Sequence, residues 1–192
     1  MKNLIKLVFL ICSGLLALVS LNAQKEDLQW VIGYWSNGNP EYSVVFMDFS
    51  SGNLKLSWEY NLRFEMSETA ANICDQRGEP LIWTNGMQIM GMGGRMIADT
   101  ISYHPSNYYW NYYYSEYYEM PSGFSEPYST LILPWPGYSN EYLVISHSAG
   151  IHPDGYFQVN RWLGSRVALN PDTSFTVMYK DSLIWEKHQW YN

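Results

Sequence analysis

The residues that could do chemistry in this sequence are few and widely separated. His147, His152 and Asp154 follow one another with the spacing H-x4-H-x-D in a glycine-containing stretch. Imidazole and carboxylate groups bind zinc, but a zinc site needs three or four converging ligands that are held by further hydrogen bonds. Because three residues on one connection do not fix that geometry, the pattern favours a solvated turn. We therefore expect no metal site and no cofactor.

Carboxylates near predicted strand ends offer a second possible chemistry. Glycoside hydrolysis uses two carboxyl groups, about 5 Å apart for retention and about 9 Å apart for inversion. The sequence does not give these separations, and it contains no phosphate-binding glycine loop, nucleophile elbow or HExxH pattern. We assign no catalytic residue, and a small glycan-acting hydrolase stays an alternative to a non-catalytic protein. The carboxylates concerned are Asp48, Glu59, Glu65, Glu68 and Asp75.

A tyrosine-rich stretch carries the strongest indication of binding. It lies in an insertion of about residues 91–128 that interrupts the spacing of the turns. Aromatic rings with hydroxyl groups stack on sugars or contact protein partners at a low cost in entropy. Tyrosines at four-residue steps from Tyr109 also allow a short helix over residues 108–120, which would bury one aromatic stripe against a sheet. The candidate ligand-binding residues are Tyr108, Trp110, Tyr112 and Tyr114, with Trp135 in a later turn.

The composition predicts a folded, strand-rich and acidic chain. Its 192 residues are 47% hydrophobic and only 15% charged, which allows one domain with a sizeable core and excludes disorder through excess charge. Aromatic residues make up 17% of the chain and favour strands. The formal net charge is −7, and the 11 Lys and Arg residues are scattered. Because binding to nucleic-acid phosphates requires a basic face, we expect no nucleic-acid partner.

The first 23 residues have the pattern of a secretory signal peptide. Lys2 and Lys6 precede an apolar run that ends at the small residue Ala23. The uncharged stretch that begins at Leu7 is shorter than the roughly 20 residues that span a bilayer, so cleavage is favoured over a retained anchor. We expect no membrane span after its removal. The mature chain, residues 24–192, is then a single β domain that is secreted or held in the cell envelope.

Short β-branched and aromatic runs between turn residues predict an all-β fold. Residues 50–53 lie between two such runs. They predict a tight hairpin turn, because glycine and asparagine tolerate the positive φ that such a turn needs. Residues 75–79 and 85–86 separate three more runs and predict a second meander. Prolines in residues 134–140 end another strand and force a wide turn. About twelve strands are predicted, in antiparallel four-stranded meanders that are similar to propeller blades.

Two stretches resemble the hairpins of a secreted bacterial β-propeller family. From Asp75 to Ile89 the chain fits D-x-x-G-x-x-L-hydrophobic-aromatic-T-[ND]-G-x-x-hydrophobic, and residues 133–143 fit hydrophobic-P-x-P-G-x-x-N-x-Y-hydrophobic. This WD40-like family occurs in the N-terminal regions of large surface proteins of gliding bacteria that use type IX secretion. The resemblance covers about residues 30–160. It implies propeller blades and a cell-surface binding or scaffolding role without catalysis.

The chain is short for that family, so it resembles a truncated member. Twelve strands at four per blade make three blades, fewer than the roughly four to eight that close a propeller. We therefore expect a partial or degenerate propeller, with a small β-sandwich as the alternative fold and a decayed fragment as a further functional alternative. Exposed sheet edges would favour self-association. The expected partner is a protein or a glycan at the cell surface.

Overall fold

The fold is all-β, as the sequence predicts. A computed structural model describes residues 28–33, 44–59, 64, 66, 69–101, 129–151 and 157–186. Within these residues, eleven strands form three separate antiparallel sheets. Each sheet is a meander in which consecutive strands are neighbours. The two-sheet sandwich considered as an alternative is wrong, because a sandwich packs one pair of sheets, whereas here a middle sheet packs between two others.

The first sheet has three strands in the described part of the chain, in the order β1-β2-β3. The turn between β2 and β3 forms where the sequence predicts it. The carboxylate of Asp48 accepts a hydrogen bond from the amide of Ser50 at 2.7 Å, and the amide of Gly52 donates to the carbonyl of Phe49 at 3.0 Å. The strands are β1 (Gln29–Gly33), β2 (Val44–Asp48) and β3 (Lys55–Glu59).

The second sheet has the order β4-β5-β6-β7. Its first turn depends on Asp75, whose Oδ1 accepts hydrogen bonds from the amides of Arg77 and Glu79 at 2.8 and 3.1 Å. Gly78 lies in this turn with a φ of +88°, a conformation that a side chain would strain. The D-x-x-G part of the recognised pattern is therefore a turn motif. The strands are β4 (Ala71–Cys74), β5 (Pro80–Thr84), β6 (Ile89–Gly91) and β7 (Arg95–Ala98).

The predicted start of the insertion at residue 91 is wrong. Gly91 ends β6, a 3-10 turn follows over Met92–Gly94, and β7 pairs back on β6. Ile101 is fully buried, and its amide donates to the carbonyl of Met87 at 2.8 Å. The predicted helix over residues 108–120 and the predicted signal peptide over residues 1–23 lie outside the described residues.

The third sheet, in the order β11-β10-β9-β8, has the longest strands. The sequence predicts short strands throughout, but β9, β10 and β11 are 11, 13 and 12 residues long. Bulges interrupt the pairing of β10 with β11, so the apolar alternation is broken there and the length of the strands is hidden in the sequence. The strands are β8 (Thr130–Pro134), β9 (Glu141–Ile151), β10 (Phe157–Leu169) and β11 (Phe175–Glu186).

The three sheets pack in chain order, with the second sheet in the middle. Their first strands are adjacent, because β4 contacts both β1 and β8, and the last strands β7 and β11 also meet. Two apolar clusters result, one on each side of the second sheet. The cluster shared with the first sheet contains Val31, Val44, Phe64, Met66, Trp83 and Met90. The cluster shared with the third sheet contains Ile73, Leu81, Ile82, Ile89, Ala98, Ile101, Ile132, Tyr142, Val144 and Val167.

Candidate functional site

The first sheet is attached to the second along β1 by a side-chain amide. Asn72 on β4 accepts a hydrogen bond from the Val31 amide at 2.9 Å and donates one to the Gln29 carbonyl at 2.9 Å. The thiol of Cys74 donates to the same carbonyl at 3.2 Å. These side-chain hydrogen bonds take the place of backbone pairing between the two sheets, and they reach only β1 of the first sheet. The outer strands of the first sheet are therefore left to diverge from the second.

A cleft of about 750 Å³ lies where the two sheets diverge. One wall is formed by β2 and β3, and the other by β5, the turn before it and the 3-10 turn at residues 92–94. The lining residues are Gln29, Phe46, Asp48, Lys55, Leu56, Ser57, Arg77, Glu79, Pro80, Trp83, Met92, Gly93 and Gly94. The sequence analysis names Asp48 for another role and does not identify the cleft, because the two walls come from different sheets.

Two aromatic rings form the apolar part of the cleft. Phe46 and Trp83 pack edge to face, with ring centroids 5.7 Å apart. Trp83 is only 2% exposed, and its indole N–H has no hydrogen-bond partner among the described residues. An unpaired buried donor costs roughly 1–3 kcal/mol. This N–H is therefore a donor beside the cleft that the described residues leave unsatisfied, and an acceptor on a ligand could reach it only if the side chains around it move.

Charged groups of both signs lie around the rings. Asp48 and Lys55 are directly opposite each other on β2 and β3, and Arg77 and Glu79 contribute from the other wall. The guanidinium of Arg77 pairs with the Asp75 carboxylate at 3.0 Å, and its side chain is 78% exposed. A surface pair of this kind adds little stability but holds the cation near the cleft mouth. The cleft can thus both donate and accept hydrogen bonds.

The two described aspartates that were considered for hydrolysis are not suited to act as general acids. Hydrogen bonds from the side chain and amide of Ser50 lower the pKa of Asp48. Partial burial acts to raise the pKa of Asp75, but hydrogen bonds from Glu79 and Arg77 outweigh it and leave that pKa lowered. A glycosidase acid needs a raised pKa. The Glu59 side chain, Glu65 and Glu68 lie outside the described residues.

Trp135, a predicted binding residue, lies in the turn between β8 and β9 and does not line the cleft. The guanidinium of Arg166 is stacked over its ring at 4.3 Å and lies 5.3 Å from the ring of Tyr138. Arg166 also pairs with Glu141. One face of Trp135 therefore already has a partner inside the protein. The other predicted binding residues, Tyr108, Trp110, Tyr112 and Tyr114, lie outside the described residues, so their role stays a prediction.

His147 is the described member of the H-x4-H-x-D pattern, and it is buried. Its ring packs edge to face on Trp162 at 5.9 Å, and burial lowers its pKa to about 4. In the part of the chain that the structure describes, no three His, Cys, Asp or Glu residues are grouped in a way that could hold a metal ion. Among the same residues, no helix has the length and apolar character needed to cross a membrane.

No family model, curated protein or solved structure matches the chain. The site must therefore be interpreted from its own residues. One sequence signal could have pointed to the cleft. The aromatic position of the recognised hairpin pattern is Trp83, and a tryptophan on a central strand brings an N–H that needs a partner.

Proposed function

We propose that this protein is a non-catalytic binding module of the cell exterior, and that the cleft between its first and second sheets binds a neutral glycan. The observation that carries the proposal is the combination of the buried Trp83 N–H, which has no partner within the described part of the chain, and a cleft of about 750 Å³ that Trp83 lines. That volume is within the range of about 300–1,000 Å³ that is usual for small-molecule sites.

The polar groups of the cleft favour a sugar. Lys55 and Arg77 can donate hydrogen bonds, and Asp48 and Glu79 can accept them. Two cations and two anions together give no net preference for a charged ligand, whereas sugar hydroxyls can both donate and accept. The ring of Phe46 adds an apolar surface for the C–H groups of a sugar. A peptide is the competing ligand, since it offers the same polar groups with charged termini.

Binding without turnover is favoured over hydrolysis by the state of the carboxylates. Asp48 has a lowered pKa and is an anion at neutral pH, so it accepts hydrogen bonds and does not protonate a leaving group. The three blade-like meanders support a relation to the opening blades of a surface propeller, and the signal-like first 23 residues support export. A secreted or envelope-bound module with a glycan or protein partner fits both.

Calorimetric titration of the purified protein with a panel of neutral oligosaccharides, combined with product analysis, tests this function. We expect saturable binding of at least one member without cleavage. Trp83→Phe keeps an aromatic ring and removes the N–H, so it should weaken that binding by about tenfold, the value of one buried hydrogen bond. Trp185→Phe is the matched control, because Trp185 is 47% exposed on β11 and does not line the cleft.

Three results would contradict the proposal. Release of shorter sugars would indicate a hydrolase, and binding of peptides alone would assign the cleft to a protein partner. Equal affinities of the Trp83→Phe variant and the wild type would place the ligand elsewhere. Thermal unfolding of both variants is measured in parallel, and we expect the Trp83→Phe variant to be about as stable as the wild type, because the cost of the smaller ring in the apolar cluster is offset by removal of a buried donor that no described residue satisfies.

A further inference from the structure

In the strands that the structure describes, the outward face of the first sheet is entirely apolar. Strand register places Trp30 opposite Met47 and Met47 opposite Leu56, and it places Val45 opposite both Ile32 and Trp58. These six side chains point away from Val31 and Val44, which are buried against the second sheet. Trp30 and Trp58 are 53% and 50% exposed. We call this surface, formed by Trp30, Ile32, Val45, Met47, Leu56 and Trp58, the first end face.

The third sheet has a comparable surface on its own outward side. Leu131 is opposite Ile145 and Leu133 is opposite Leu143, whereas Ile132 and Val144 face the second sheet. Leu131 and Leu133 are 49% and 40% exposed. Ile184 of β11 joins them across Gly164 and is 52% exposed. We call this surface, formed by Leu131, Leu133, Leu143, Ile145 and Ile184, the second end face.

These two end faces are unusual for a protein that stays monomeric. Stacked repeat units normally end in polar faces, and monomers seldom expose apolar patches of more than a few hundred Å². Charge does not oppose burial of either face, because the first contains no charged residue and Arg166, beside the second, is paired with Glu141 and stacked on Trp135. Either set of residues can therefore be covered without leaving an unpaired charge, provided that the exposed Lys180 of β11 stays outside the contact.

We infer that the occupant is a second copy of this chain, with the second end face of each copy packed on the first end face of the other. Within one copy, β1 packs beside β4 and β4 beside β8. Placing β8 of one copy beside β1 of the next repeats the same relation. A contact between two different faces closes with two copies when it relates them by a two-fold rotation, and otherwise it builds larger rings or open polymers. Two copies of three sheets then make a ring of six, within the four to eight sheets that close a propeller.

The area needed for this dimer is modest, because the symmetric pair contains the contact twice. Each contact has to bury only about 600–1,000 Å² to reach the total of a standard stable interface. The exposed halves of Trp30 and Trp58 alone supply roughly 200 Å² on one side. The inference concerns faces rather than the open strand edges expected from the sequence. It does not depend on the ligand of the cleft, with which the first end face shares only Leu56.

Sedimentation equilibrium of the full chain without its first 23 residues tests the inference. The wild type is compared with two single variants, each of which carries one glutamate on one of the end faces. We expect the wild type to have twice the mass of a single chain. Ile32→Glu and Leu133→Glu each change both contacts of the dimer, so each should weaken dimerisation by about a hundredfold. Met96→Glu on the second sheet is the matched control, because Met96 is 40% exposed, about as much as Ile32 at 39% and Leu133 at 40%. Far-ultraviolet circular dichroism checks that every variant is folded.

Mixing the two variants distinguishes the proposed pairing from the others. An Ile32→Glu chain and a Leu133→Glu chain can form one dimer in which one of the two contacts is unchanged, so the mixture should dimerise more strongly than either variant alone. A wild type that is monomeric, with its end faces covered by its own chain or by a different protein, would overturn the inference. So would a dimer that only one variant weakens, because it would pair two identical faces, and so would open-ended polymers.

Discussion

The second sheet meets its two neighbours in opposite ways. Against the third sheet the contact is apolar and close, and the Cβ of an alanine at Gly91 would lie 2.7 Å from the ring of Phe175. Against the first sheet a smaller apolar cluster is combined with hydrogen bonds along one strand, through Asn72 and Cys74. The close contact leaves no room for a ligand, whereas the one-strand attachment opens the cleft. The two faces of the second sheet therefore differ: the face toward the third sheet contributes mainly packing, and the face toward the first sheet also borders the cleft.

Loss of packing on the third-sheet side should have the largest effect. Ile82 is fully buried in that cluster, so Ile82→Ala should lower the free energy of unfolding by about 2–5 kcal/mol. Urea unfolding followed by tryptophan fluorescence measures the change. Met178→Ala, at a residue that is 53% exposed on β11, should change it by less than about 0.5 kcal/mol. Equal effects of the two substitutions would show that this interface is not the main source of stability.

Loss of the polar attachment should have a smaller and local effect. Asn72→Ala removes both hydrogen bonds to β1 and should cost about 1–3 kcal/mol. Hydrogen exchange is the informative measurement, because the Val31 amide should lose protection while amides of β9 and β10 keep theirs. Asn140→Ala, which removes one exposed side-chain hydrogen bond to the Leu169 carbonyl, is the control. Uniform loss of protection across all three sheets would contradict the division between the two interfaces.

The change of stability with pH should be the smallest of these effects, and it tests the burial of His147 in the third sheet. Burial lowers the pKa of His147 from 6.5 to about 4, so the unfolded chain takes up a proton before the folded one as the pH falls. Stability that is present above pH 6.5 is then lost progressively towards pH 4, by about 1–2 kcal/mol at about pH 5.5. Urea unfolding between about pH 5 and pH 7 should show this slope, and His147→Gln should lack it. An unchanged slope in the variant would assign the effect to other residues.

Much of the fold could be predicted from local chemistry. The turns after β2 and β4 follow from Asp side chains that accept hydrogen bonds from nearby backbone amides and from glycines with a positive φ, which are features within a few residues. β7 could not be predicted in this way. Glycines and methionines around residues 91–96 have weak strand preference, and the ladder with β6 forms because both strands are packed on a larger sheet. Tertiary packing decides this strand.

Very little of the site could be predicted. The cleft joins β2 and β3 to a turn and a strand of a different sheet, and no periodicity in the sequence reports which sheets diverge. Trp135 illustrates the same limit. Its aromatic ring and turn position predict ligand binding, but they do not predict that Arg166, from a strand about thirty residues later in the sequence, stacks on one face of the ring.

The double hydrogen bond of Asn72 also fixes which side of β1 faces outward. Residues of a strand alternate between its two sides, so a slip of β1 by one position would turn Trp30 inward and Val31 outward. Such a slip would also replace the Val31 N–H and the Gln29 carbonyl by groups that point the wrong way. The Asn72 side chain on the second sheet thereby fixes the register of β1.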